Sequence, residues 1–148
     1  MPAVIRVGLL DVLQRGAERL AWMDLLCEGV GLLGKELIDI GSSVEVVYES
    51  SSGLIAHRAP SLQELADALM SFSGSVSSAQ FTTELIEQAD IVVTGLKELE
   101  MPEIARGLSG KPSLLIHERA SPISLGEHSV IFSGRESVFP LVARVVER

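Results

Sequence analysis

The polar residues best placed to do chemistry in this sequence come directly after predicted strands. Acidic, amide and basic groups follow the first strand, hydroxyls follow the second and end the third, and an imidazole and a carboxylate follow the fourth. In chain order these residues are Asp11, Gln14, Arg15, Gly16, Ser50, Ser51, Thr94, His117 and Glu118. Carboxylates and imidazoles transfer protons, hydroxyls form hydrogen bonds, and a guanidinium holds anions. We therefore predict that these residues line a binding site.

The first loop, residues 11–16, is the place where a ligand is most expected. Arg15 stands just before a predicted helix, and a guanidinium beside a helix N-terminus favours negative charge. A small anion at Arg15 is therefore one expected ligand. Asp11 lies in the same loop, and its negative charge would repel phosphate.

The other candidates also have plainer interpretations. A serine run that ends in Gly53 is typical of a turn as well as of a ligand crevice. His117 and Glu118 fit either acid and base groups or solvated loop residues. Both interpretations stay open at this point.

Two further patterns are interpreted as structural. Gly29, Gly31 and Gly34 match G-x-G-x-x-G, but the dinucleotide fingerprint needs a strand before it and a full crossover helix after it. Here a helical pattern precedes the glycines, which favours a glycine-rich helix end. The single cysteine, Cys27, lies among apolar residues of the same helix and is expected to be a buried hydrophobic residue. The three histidines show no spacing typical of a metal site.

Periodicity predicts the elements that position these residues. Apolar, β-branched runs predict strands at residues 4–10, 44–49, 90–95 and 112–116, with a further short strand at 129–133. Helical spacing predicts helices at residues 16–33, from 61, at 83–89, from 102 and at the C-terminus. Ser61 and Glu64 form the capping-box pattern at the start of the second helix. The strand at 90–95 is too apolar to have one wet face and is expected to be central.

Apolar strands that alternate with helices form a parallel sheet with both faces covered. We expect one α/β domain over residues 1–148: a three-layer sandwich with a four- or five-stranded parallel sheet in the order 2-1-3-4(-5). Ligands of such sheets bind at the carboxyl ends of the strands, where the candidate residues lie.

The order of the parts resembles the low-molecular-weight protein-tyrosine phosphatases and the related arsenate reductases. Those proteins open with a hydrophobic strand, a loop of the form C-x5-R and a helix, and residues 9–15 have this spacing with Arg15 in the arginine's place. Residues 77–94, SSAQFTTELIEQADIVVT, resemble the family's R-A-R-Q-L-T segment, short acidic helix and A-D-hydrophobic strand. The resemblance implies a phosphatase-like sheet of four strands, whereas a fifth strand would be flavodoxin-like.

The chain departs from the family at the residues that do its chemistry. Leu9 occupies the position of the nucleophilic cysteine, and Ser121, before Pro122, occupies that of the general acid. Leucine cannot form a phosphoenzyme. The resemblance therefore implies a domain without catalytic residues or cofactors, which acts as a binding or regulatory module. Its expected partner is another protein or a second copy of itself.

Two other functions remain as alternatives. One is a hydrolase or other small-molecule enzyme that uses Asp11, Ser50, His117 or Glu118 at the carboxyl edge of the sheet. The other is a flavodoxin-like binder of a flavin or nucleotide, which is disfavoured because no hydroxyl-rich phosphate loop follows the first strand.

Composition limits the partners and the compartment. The net charge of −8 disfavours nucleic acid, since binding phosphates requires clustered Lys and Arg. Uncharged apolar runs fall short of the ~20 residues that span a bilayer, so no membrane partner is expected. A single cysteine permits no internal disulfide, and the first residues show no secretory signal pattern. We therefore expect a cytoplasmic protein.

Overall fold

The computed structural model of the chain describes residues 4–12, 19–50, 53–72, 79–116, 129–132 and 135–146. The strands within these ranges are β1 (Val4–Leu10), β2 (Ser43–Ser50), β3 (Gly53–Ala59), β4 (Ile91–Gly95), β5 (Ser113–Ile116) and β6 (Ser129–Ile131). The α-helices are α1 (Arg19–Asp39), α2 (Leu62–Ser71), α3 (Ala79–Gln88), α4 (Pro102–Gly107) and α5 (Arg135–Val146), and a 3₁₀ helix (Leu96–Glu100) follows β4. Among the described helices, none has the length and apolarity needed to cross a membrane.

The strands form one six-stranded sheet in the order β3-β2-β1-β4-β5-β6. All neighbours pair in parallel except β2 and β3, which are antiparallel. The expected α/β class is confirmed, and β4 is central, as its uninterrupted apolar sequence predicts. The short strand expected near residue 129 is also present, as β6 at the edge of the sheet.

The predicted strand count and order differ from those observed because β3 was missed, while the five expected strands lie in the predicted relative order. The segment after the serine run is an edge strand, and Gly53 begins it with φ +115°, a conformation that favours glycine. Strand β3 then alternates between partly buried and exposed residues, with Ala56 and Arg58 exposed. This half-polar pattern is what an edge strand tolerates, but it lacks the continuous apolar run that identified the parallel strands.

A row of charges crosses the three strands at this edge. Arg6 of β1 is opposite Glu45 of β2, which is opposite Arg58 of β3. The Glu45 carboxylate accepts from Arg6 Nε at 3.1 Å and from Arg58 Nη2 at 3.4 Å. Both guanidinium groups are at least half exposed, so the row lies at the surface of the sheet.

Two apolar cores of unequal size hold the layers together. The larger core lies between one face of the sheet and helices α1, α2 and α5, and its largest buried side chain is Trp22. The smaller core lies on the other face, under α3 and α4, and contains Leu10, Leu85 and Ile104. Helix α3 lies so close to β1 that a Cβ on Gly8 would be 2.9 Å from the side chains of Leu85 and Ala89.

Helix α1 extends past the predicted end at residue 33. Its buried stripe continues to Leu37, and the helix stops where Gly41 adopts φ +94°. The N–H of Gly41 donates to the Ile38 carbonyl at 2.9 Å, and the N–H of Ser42 donates to the Leu37 carbonyl at 3.0 Å, which is a Schellman motif. The sequence predicted a glycine-rich helix end at residues 29–34, but Gly34 lies inside the helix.

The glycine motif in α1 has a packing role. A Cβ on Gly29 would be 3.0 Å from Ile116 Cδ1, and one on Gly34 would be 2.5 Å from Leu65 Cδ2. These glycines let β5 and α2 approach the helix closely. The sequence suggested that these glycines end the helix, but they lie within it. No strand leads into them.

The start of α2 agrees with the sequence. The Ser61 side chain accepts a hydrogen bond from the Glu64 N–H at 3.3 Å, which confirms Ser61 as the N-cap. The Ser61 hydroxyl is also 3.3 Å from the Glu64 carboxylate, to which it donates.

Candidate functional site

The candidate site lies where β1 and β4 end side by side. Helix α1, which follows β1, covers one face of the sheet, and α4, which follows β4 and the 3₁₀ helix, lies on the other. Loops that leave neighbouring strands toward opposite faces create a crevice at the carboxyl edge, which is the usual ligand position in open α/β sheets. Three of the four buried polar or charged residues in the described part of the chain are here: Asp11, Thr94 and Glu98.

Asp11 is the first residue after β1, and its side chain has no solvent exposure. Its Oδ2 atom lies 3.6 Å from Arg19 Nη2, at the described start of α1. A buried carboxylate is costly unless a cation accompanies it, so this contact ties the loop after β1 to α1. The structure thus places Asp11 at the predicted site but directs it toward the protein interior.

Thr94 ends β4 and is completely buried. Its hydroxyl donates to the backbone carbonyl of Leu10 at 2.6 Å. The hydroxyl therefore joins the carboxyl ends of β1 and β4. Thr94 lies at the predicted position, but its role there is to hold the two strands in register.

Glu98, in the 3₁₀ helix, brings a second carboxylate to the same place. Its side chain is completely buried, and its Oε2 atom is 3.5 Å from the N–H of Val12. This N–H belongs to the loop that was expected to hold an anion. This contact is longer than a typical N–H···O hydrogen bond, and it brings a carboxyl group of the protein itself to the N–H that an anionic ligand would approach.

Sequence reasoning missed both Glu98 and Arg19, although each left a signal. Arg19, Trp22 and Leu26 follow the three-and-four spacing of one helical face, so Arg19 belongs to the stripe that faces the core. Glu98 lies between Leu96 and Leu99 directly after a buried strand. A charged residue just beyond the carboxyl end of a central strand lies where ligands of such sheets bind, and this position is the signal.

The remaining predicted residues are only partly located. Ser50 is the last residue of β2 and pairs with Gly53, the first residue of β3. Gln14, Arg15, Gly16, Ser51, His117 and Glu118 lie outside the described residues.

Two side chains outside this site have raised pKa values. Cys27 is partly rather than fully buried, and desolvation, with a smaller effect from Asp24, raises the pKa of its thiol. This direction is the opposite of what a reactive thiolate requires. Burial likewise raises the pKa of Tyr48, whose hydroxyl lies 3.1 Å from His57 Nε2 on the neighbouring strand.

No group of three or more His, Cys, Asp or Glu side chains that could hold a metal ion occurs among the described residues. Comparison with models of known protein families and with curated proteins finds no match.

Proposed function

We propose that this chain is a catalytically inactive domain of the low-molecular-weight phosphatase type, which acts as a binding or regulatory module for another protein or a second copy of itself. The main support for this proposal is the burial of the residue at position 9. Leu9 is 1% exposed and packs into the larger core, so the residue in the nucleophile's place is part of the hydrophobic interior.

The charges around the first loop support the same proposal. Asp11 and Glu98 place two buried carboxyl groups at the start of the loop, Asp11 beside the Arg19 guanidinium and Glu98 beside the Val12 N–H. A phosphate monoester, which carries up to two negative charges near neutral pH, would meet repulsion there. Arg15 remains the residue proposed to hold a small anion if one binds.

The test is hydrolysis of p-nitrophenyl phosphate by the wild type, by Arg15→Ala and by Arg106→Ala. Arg106 is an exposed residue of α4 and serves as the matched control. We expect no rate above that of buffer from any of the three proteins. Hydrolysis that is lost in Arg15→Ala and kept in Arg106→Ala would overturn the proposal.

Thermal unfolding with phosphate, sulfate or vanadate tests the binding part. A ligand at about a hundred times its Kd adds roughly 2.7 kcal/mol to the unfolding free energy. Stabilisation that disappears in Arg15→Ala, but not in Arg106→Ala, would establish an anion site at Arg15 and favour a phosphorylated partner. Without stabilisation, the proposal rests on protein contacts alone, and sedimentation of the purified chain then tests self-association.

The two buried carboxylates favour one alternative, a hydrolase or other small-molecule enzyme on the same fold. A buried carboxylic acid at the edge of a sheet is a typical proton donor or acceptor. This alternative predicts turnover of an ester or amide substrate that falls at least about a hundredfold in Asp11→Asn or Glu98→Gln, the typical contribution of a general acid or base. Turnover unaffected by both substitutions would exclude Asp11 and Glu98 as its catalytic groups.

A further inference from the structure

A cavity of about 280 Å³ opens between α3 and α4, next to the loop after β1. Its apolar lining includes Val12, Ile86 and Ile104, and the last two side chains are at most 5% exposed. The smaller core therefore forms its floor. The volume is near the lower end of the range for small-molecule sites, so it suits a compact ligand.

The polar lining of the same cavity consists of acidic side chains and hydroxyl groups. Glu87 of α3 and Glu103 of α4 are exposed residues on opposite sides, and Thr82 and Thr83 add hydroxyl groups. In the described part of the chain, no ion pair engages Glu87 or Glu103.

We propose that this cavity binds a small organic cation, namely a protonated amine on a compact apolar body. The apolar body lies over Ile86 and Ile104, and the ammonium group is held by the carboxylates of Glu87 and Glu103. Charge complementarity selects this class, because an anion would be repelled at the mouth and a neutral apolar ligand would make no use of the carboxylates. The inference goes beyond the proposed function and does not depend on it, since Leu9 and the first-loop carboxylates take no part.

The experiment is an NMR titration of the isotopically labelled full chain with three probes. The probes are 2-phenylethylamine, its neutral counterpart 2-phenylethanol, and methylamine, which has the charge without the apolar body. We expect 2-phenylethylamine to shift the amide signals of α3, α4 and Val12, with an affinity about tenfold higher than that of either other probe, because it alone has both the charge and the apolar body.

The double variant Glu87→Gln/Glu103→Gln removes both charges at exposed positions, where folding tolerates the change. We expect this variant to bind 2-phenylethylamine about tenfold more weakly than the wild type and to bind 2-phenylethanol with unchanged affinity. Glu28→Gln/Glu136→Gln is the matched control, because it removes the same charge from exposed residues of α1 and α5 on the other face of the sheet.

Three results would overturn the proposal. The first is 2-phenylethanol or methylamine binding as tightly as 2-phenylethylamine. The second is equal weakening by the control variant, which would indicate general attraction to an acidic surface. The third is an absence of shifts at α3 and α4 in tens of millimolar amine.

Discussion

Tyr48 links the protonation of a single residue to the stability of the hairpin. Its ring packs edge-on against Phe72 and stacks on His57, and burial raises the pKa of its hydroxyl. Because the folded pKa exceeds that of the unfolded chain, the neutral ring favours folding below about pH 10. This contribution is lost as the pH rises through the folded pKa.

We therefore expect the unfolding free energy of the wild type to fall above about pH 10 more steeply than that of Tyr48→Phe. Urea unfolding at several alkaline pH values measures the difference. Tyr48 is the only tyrosine of the chain, so the phenolate absorbance reports its pKa directly. Equal slopes for the two proteins would contradict the prediction.

Substitution of Thr94 tests whether the buried hydroxyl of this residue stabilises the candidate site. Thr94→Val keeps the side-chain shape but removes the hydrogen bond to the Leu10 carbonyl, and we expect a loss of about 1–3 kcal/mol because that carbonyl is buried beside an apolar group. Thr83→Val, at an exposed position, is the control and is expected to change stability by no more than about 0.5 kcal/mol. Denaturant unfolding of both variants gives the comparison.

At the scale of single residues, the sequence identified two members of the candidate site and missed two others. Asp11 and Thr94 were found because they end predicted strands, so position alone identified them. Their partners were not found, because Arg19 and Glu98 reach the site from a helix and from a 3₁₀ turn whose orientation depends on packing. Side chains that meet only through tertiary contacts leave a weak local pattern.

At the scale of elements, α1 offers a matched pair of glycines. A Cβ on Gly34 would lie 2.5 Å from Leu65 Cδ2, whereas one on Gly31 would have nothing within 4 Å. We expect Gly34→Ala to destabilise the fold by about 1–3 kcal/mol through overpacking between α1 and α2. Gly31→Ala should stabilise it by about 0.5–1 kcal/mol, since alanine is the better helix former.

Thermal or urea unfolding of the two variants measures these opposite effects. Stabilisation by both substitutions would mean that Leu65 moves aside at little cost and that the contact between α1 and α2 is looser than the structure indicates.

The elements also differ in how well the sequence predicted them. The parallel strands were found because burial on both faces requires continuous apolar runs, as in Ile91–Gly95. Strand β3 was missed because an edge strand needs only alternation, and its neighbouring serines resemble a loop. The end of α1 was misplaced because Gly34 and Gly41 are both acceptable stops locally, and only the packing of Leu37 in the larger core decides between them.

At the scale of the whole molecule, the helices that cover the two faces of the sheet differ in length. The larger core has a 21-residue helix, α1, while the smaller core is covered by α3 and α4, with 10 and 6 residues. The cavity between α3 and α4 further reduces the contacts on that face. Regions with less apolar burial open at lower free energy.

We therefore expect backbone amides of α3 and α4 to exchange with solvent deuterium faster than those in the middle of α1. Native-state hydrogen exchange, followed by NMR, measures both sets in one sample. Equal protection would mean that the sheet joins the two cores into one cooperative unit. If the cavity binds 2-phenylethylamine, the amine should slow exchange in α3 and α4 selectively.

The charge row Arg6–Glu45–Arg58 has a consequence for folding errors rather than for stability. Exposed ion pairs add only about 0–1 kcal/mol, so the row contributes little to the native free energy. A slip of β3 by one residue, however, would move Arg58 to the opposite face and leave Glu45 beside an uncharged neighbour. The Glu45–Arg58 pair thus acts with the buried residues of β3, which change faces in the same slip, to favour the observed register over misaligned hairpins whose unpaired edge would promote aggregation.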